Sequence, residues 1–276
     1  RNRLHAEMTM YPESAASMFM LTIPDAQRDV IGLDISDKIA LTPKVELIAG
    51  ARVDYAGSSL YSAAGKQLLS GMHTGDLNRS NILYNVYING QYRVNNHWLL
   101  YTNVARAMRS ATLQEMYGFY LFNRNDGNPR LKNETSWNFG TGVRFQQKIF
   151  TAEAQTFAYL FNNYIAGKPL AGYSVMTIGA NGVKQYNNIS SAVLYGAEAT
   201  VLIRPFSFLS INSINTYTRG QGDNNNALPL IAPFKSVNTL HLIWKGYRFN
   251  ATSQYAAAQH HVSYEMYGEW PSKAYD

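Results

Sequence analysis

Four methionines, Met8, Met10, Met18 and Met20, fall close together near the start of the chain, and Met72 stands beside His73. Thioether sulfur and imidazole nitrogen are ligands that suit copper, so these residues are the metal-ligating candidates. Methionines two apart in an apolar-tinged segment serve equally well as packing. The pair His260-His261 lies at the end of a predicted strand, where paired histidines either cap a loop or bind metal. Covalent and hydrolytic chemistry has no foothold. The chain lacks cysteine, the HExxH and GxSxG motifs and any phosphate-cradling loop, and its carboxylates are dispersed along different strands. An enzyme is not expected.

The elements that position these residues are strands. From Trp137 to Phe145 the bulky residues alternate with small or polar ones, and the stretch from Phe150 sets Ala152, Ala154, Thr156, Ala158 and Leu160 against Glu153 and Gln155. A period of two marks a strand with one apolar and one wet face. Two such strands joined only by Gln146, Gln147, Lys148 and Ile149 match the roughly 9–11 tilted residues of a bilayer-crossing β-hairpin. The same rhythm recurs in 27–41, 45–55, 86–94, 98–108 and 187–203, and more weakly from Phe208, Phe234 and Tyr247. Short turns alternate with long polar loops at 56–83, 109–133, 166–186 and 220–233, as in membrane barrels with tight periplasmic turns and long extracellular loops. Ten strands in five hairpins are expected over 27–261. Residues 1–26, with Pro12 and Pro24 and no sustained period, and residues 262–276 are expected as loop.

Composition agrees. Aromatic residues make up 13% of the 276 positions and charged residues only 15%, with 20 tyrosines, against about 25% charge in ordinary domains. Mean hydropathy is −0.25, and no apolar run reaches the length of a membrane helix, so a membrane reading must be a strand reading. The net charge of +6 comes from scattered Lys and Arg, which gives no footprint for nucleic-acid binding. A soluble β-sandwich or glycan-binding module is the competing all-β reading, but its strands average about 5–6 residues.

Three separated motifs then carry a resemblance. The stretch from Val104 to Tyr117 contains Arg106, Arg109, Leu113 and Glu115. After it come Asn128, Pro129, Leu131, Glu134 and Trp137, and then Gly196 and Glu198 in the sequence Leu194-Tyr195-Gly196-Ala197-Glu198. In order and spacing these are similar to TonB-dependent outer-membrane receptors, most strongly over Val104 to Glu198. The resemblance implies an all-β, antiparallel transmembrane barrel of 22 strands with a plugged lumen. This chain would supply the C-terminal part of that barrel without its last strands, and the plug domain through which TonB acts would lie outside it.

What the resemblance implies for function is active import of a scarce metal chelate, of the ferric siderophore type, through the bacterial outer membrane. Partners would be outer-membrane lipid, TonB through the plug, and the chelate as transported ligand, with no resident cofactor. Ferric chelates are mostly anionic, so the expected contacts are loop cations and aromatics: Arg109, Tyr117, Phe119, Tyr120, Arg124 and Arg130. Haem receptors of the family carry an axial histidine between two boxes. Here Met108-Arg109-Ser110-Ala111 and Asn128-Pro129-Arg130-Leu131 enclose Tyr117 and Tyr120 instead. Copper and haem uptake remain alternatives within the family, as does a passive porin-like or structural barrel.

Overall fold

The computed structural model describes residues 1–10, 18–71, 73–119, 127–172, 183–263 and 269–276. Eleven strands form a single antiparallel meander in which every strand pairs with its sequence neighbour. They are β1 (Asn2–Met10), β2 (Met18–Thr42), β3 (Val45–Leu60), β4 (Arg79–Arg93), β5 (Trp98–Arg109) and β6 (Glu134–Gln146). Then follow β7 (Phe150–Leu170), β8 (Val183–Phe206), β9 (Leu209–Gln221), β10 (Lys235–Trp244) and β11 (Tyr247–Ala256). Two short helices, α1 (Ala63–Ser70) and α2 (Leu113–Tyr117), lie in the long connections. Among the described residues no helix is long and apolar enough to cross a membrane, a statement that does not bear on strands.

Two sequence expectations need correction. Residues 1–26 are not loop throughout, because β1 and the first part of β2 pair within them, and the strand count rises from ten to eleven. The reason lies in the β1–β2 register, which shifts twice between Leu4 and Glu7, so that Pro24 and Asp25 fall where the ladder is interrupted. A strand tolerates proline at such an irregularity, and the shifts erase the period-two signal in the sequence. The long connections are also shorter than expected. The β7–β8 ladder continues to Leu170↔Val183, and β3 runs to Leu60 before α1 begins.

Directly paired residues share a sheet face, so the register sorts every side chain. One face is apolar and open: Ile31, Leu33 and Ile35 are 75–80% exposed. Near the short turns this face carries Trp98, Phe145, Phe150 and Phe206, with the Trp98 and Phe145 rings 4.7 Å apart. Toward the long connections it carries Trp137, Phe139, Tyr195 and Tyr217. Two aromatic belts bounding an apolar band are the pattern of a membrane-facing barrel wall. At the β10–β11 turn, Lys245 and Gly246 both have positive φ, 45° and 85°, the two-residue hairpin geometry that matches strand twist. The opposite sheet face is polar.

The buried core sits at the long-connection end. Ala26, Leu60, Leu69, Leu77, Ala111, Leu113, Met116, Tyr117, Phe119, Leu131 and Ile165 form one cluster there. α1 and α2 contribute directly to it. Ser62 caps α1 by accepting from the Gly65 amide at 3.1 Å, and Thr112 with Glu115 forms a reciprocal capping box on α2.

Candidate functional site

The geometry builds upward from Arg109 at the end of β5. Its guanidinium donates to Glu115 at 2.9 and 3.2 Å and to Glu134 at 3.0 and 3.0 Å, bridging two carboxylates from α2 and β6. Glu134 is buried and also accepts the Ile165 amide from β7 at 3.0 Å. Glu115 in turn accepts the Thr112 amide at 2.7 Å. Only arginine presents a planar fork able to engage two carboxylates at once. The result ties β5, α2, β6 and β7 into one rim.

Other motif residues extend this framework. Asn128 is buried; its backbone amide donates to the Glu115 backbone carbonyl and its side-chain amide to the Tyr186 carbonyl, each at 2.9 Å. Pro129 is fully buried and Leu131 nearly so. On the apolar face Arg106 lies 4.2 Å over the Tyr84 ring and donates to its hydroxyl at 3.2 Å, while Trp137 is half-exposed in the upper aromatic belt. Arg28 on β2 donates to the Ala111 carbonyl and, at 3.1 Å, to Ser58. Nothing in the sequence singled Arg28 out, because it sits among strand residues with no motif around it. The α2 cap was legible, since Thr112 and Glu115 have capping-box spacing.

The expected ligand contacts separate under this geometry. Tyr117 and Phe119 are both 0% exposed, and the Tyr117 hydroxyl donates to the Leu77 carbonyl at 2.8 Å. Burial pushes that hydroxyl well above its ordinary pKa, so it offers neither an open contact to a chelate nor a phenolate to haem iron. Arg109 is committed to its two carboxylates. Tyr120 and Arg124 lie outside the described residues. Arg130 remains exposed, donating to the Thr74 hydroxyl at 2.6 Å and to the Thr74 carbonyl.

Of the metal candidates, Met8 pairs with Met20 and Met10 with Met18 in the β1–β2 register. His73 is separate from them and packs at the rim, with Nε2 3.3 Å from the Gly127 carbonyl. Burial, reinforced by the nearby Arg130 charge, holds its imidazole below the ordinary range. His261 lies 3.4 Å from Arg219. Among the described residues no group of three or more His, Asp or Glu side chains is gathered as a metal site.

Below the rim, the polar sheet face forms a continuous hydrogen-bonded wall. Tyr101 donates to Glu153 at 2.7 Å, Arg144 pairs with Glu153 at 2.8 Å, and Gln155 donates to Glu198 at 2.6 Å. Farther along the sheet, Arg52 bridges Asp34 and Asp54 at 3.1 and 2.6 Å. A hollow of about 730 Å³ lies against this wall, lined by Tyr101, Asn103, Arg144, Glu153 and Tyr159 among others. Gly196, the other residue of the third motif, is required by close packing: a Cβ there would run into the Tyr217 backbone carbonyl and lie 2.6 Å from the Phe157 ring.

Comparison with known proteins adds the family context. The family model described as TonB dependent receptor-like, beta-barrel matches residues 8–275. Among solved structures, the copper transporter OprC superposes with a TM-score of 0.77 at 15% identity, over 97% of this chain and 41% of that one. The ferric-catecholate import receptor Fiu from K12 E. coli gives 0.67 at 15%, covering 91% and 37%. The ferric yersiniabactin uptake receptor FyuA from Yersinia pestis gives 0.63 at 14%, covering 94% and 39%. At these identities the likeness is one of fold, and the chain spans about two fifths of each. A sequence comparison with curated proteins gave no match.

Proposed function

We propose, from the premise that this chain belongs to the TonB-dependent receptor-like β-barrel family, that the receptor it forms part of imports a ferric siderophore-type chelate across the bacterial outer membrane. The polar face is then the lumen wall, and the rim around Arg109 is the mouth. The observation that carries the cargo class is the charge of that mouth. Arg130, Lys132 and Lys168 are exposed there, and no ion pair engages them among the described residues. Cations without a carboxylate partner focus an attractive field on an anionic ligand and raise its rate of capture. Coupling to TonB would run through a plug held against the lumen wall, where Tyr101, Arg144, Glu153 and Glu198 offer hydrogen-bonding and charged partners.

The decisive experiment expresses the full receptor in cells stripped of their own siderophore receptors and follows radioactive iron delivered as catecholate, hydroxamate or carboxylate chelates. Uptake of one class that disappears without TonB supports the reading. Entry that persists without TonB would indicate a passive barrel.

Copper is the second reading, favoured by the β1–β2 register that sets two methionine pairs opposite one another. Soft thioether ligands select Cu(I). Copper accumulation that falls when Met8, Met10, Met18 and Met20 become leucine, with iron uptake absent throughout, would replace the chelate reading.

A further inference from the structure

The apolar sheet face is not uniform. On β2 and its neighbours the ladder carries Ile31, Leu33 and Ile35 opposite Tyr55, Val53 and Ala51. On β9–β11, the same face carries Ser213, Asn215, Ser236, Asn238 and Ser253. The register places Asn215 opposite Ser236 and Ser213 opposite Asn238, with Ser253 beside Asn238 on the far side. These positions lie between the belts that bound the membrane span. Phe208, Trp244, Tyr247 and Phe249 stand exposed on the short-turn side, and Tyr217, Phe234 and Tyr255 on the other.

Five neutral polar side chains facing hydrocarbon are a cost, since each desolvated amide or hydroxyl wants a partner. Intramolecular bonds recover only part of it. Asn215 donates to Ser213 at 3.0 Å and Asn238 to Ser236 at 3.1 Å, leaving each serine hydroxyl proton and each asparagine carbonyl free to bond outward.

We propose that this patch is a lateral docking surface for a second copy of the receptor. The inference rests on the family membership, which makes this face the outside of a barrel, and not on the cargo. Three observations select a second copy. Every group in the patch both donates and accepts, and none is charged, so the patch satisfies itself without repulsion. The aromatic belts fix its depth, so two copies in one membrane present their patches at the same height. The flanks are also complementary. A hollow of about 560 Å³ runs from the β7–β8 side to the edge of the patch, lined by Ala154, Thr156, Ala197 and Ala199 and bounded by Asn215 and Phe234. On the β11 side, Tyr255 projects 42% exposed. A two-fold axis along the membrane normal through the patch sets the hollow of each copy against the Tyr255 of the other, an isologous contact. Small residues allow close approach, and polar side chains add hydrogen bonds inside a membrane.

The 276 residues contain no cysteine, which gives a clean crosslinking test. In the full receptor, with any cysteine elsewhere replaced, Asn238→Cys is compared in native outer membranes with Ile35→Cys, 75% exposed on the same sheet face of β2. Self-crosslinking to a band of twice the monomer mass is expected for N238C and not for I35C. Equal crosslinking of both, none at all, or capture of a protein of different mass would overturn the proposal. As a second arm, Ser236→Leu with Asn238→Leu should abolish the dimer seen by native electrophoresis while the barrel keeps its heat-modifiable mobility. A dimer that survives this double change also overturns it.

Discussion

The ring of Tyr101 lies across its strand partner Gly142, so close that a methyl group at Gly142 would collide with the ring carbons and hydroxyl. Phe157 stands in the same relation to Gly196, and Tyr87 to Gly50. Glycine in these lumen strands clears a bed on which a neighbouring aromatic ring lies flat along the wall.

Gly142→Val should therefore lift Tyr101 off the wall and break its 2.7 Å hydrogen bond to Glu153. Overpacking of this kind costs about 1–3 kcal/mol. Equilibrium unfolding of the receptor in detergent or bilayers would read the loss. An unchanged midpoint would mean the ring relaxes freely into the lumen.

Arg109→Ala should loosen the mouth by about 1–3 kcal/mol, below the value for a fully buried pair because the Arg109 side chain is 40% exposed. Glu134, 8% exposed, is left without its cation. Arg109→Lys should not restore order, since an ammonium lacks the fork that spans Glu115 and Glu134. Limited proteolysis in 110–133 is the measurement, with cleavage accelerated in both variants.

His73 should make the rim sensitive to acid. Its folded-state pKa is depressed by burial, so the unfolded loop takes up a proton at higher pH than the folded one. Stability from this group is present above the unfolded value of about 6.5 and is lost as pH falls below it. Protection factors in 63–75 and 127–131, corrected for the intrinsic pH dependence of exchange, should fall between about pH 7.5 and pH 5.5, and His73→Gln should remove that dependence. An equal fall in the variant would assign the effect elsewhere.

Tyr117→Phe and Arg130→Glu should behave in opposite ways. The first leaves the Leu77 carbonyl without its donor at a cost of about 1 kcal/mol and leaves ligand affinity unchanged. The second, combined with Lys132→Glu, should slow capture of an anionic chelate and flatten its dependence on salt. Stopped-flow quenching of intrinsic fluorescence separates the two effects.

Much of this was legible in the chain. The alternation in 137–145 and 45–55 predicted two faces, and the expected opposition of Ala152, Ala154 and Ala158 to Glu153 and Gln155 holds in the register. β1 was hidden because two register shifts break the period that marks a strand. The rim misled in a different way. Arg109, Tyr117 and Phe119 have the residue types of a ligand site, yet a third dimension decides whether such side chains face outward or pack. Here Tyr117 and Phe119 pack into the cluster with Leu60, Leu69 and Ile165, while Arg109 is held by Glu115 and Glu134. Type and spacing cannot reveal that packing, because its partners lie on β3, α1 and β7.

The placement of that cluster orders the assembly of the wall in time. Each strand ladder joins sequence neighbours, and five of the connections are tight turns, so hairpins can close locally at small entropic expense. The core differs, because it draws Ala26, Leu60, Leu69, Leu113, Leu131 and Ile165 from β2 through β7. No single hairpin contains enough of it to set. Arg28 reaches the Ala111 carbonyl only after the strands between them have zipped. The mouth should thus be the last part to gain protection, and pulse-labelled hydrogen exchange should find 109–119 protected only once the wall is complete from β2 to β7.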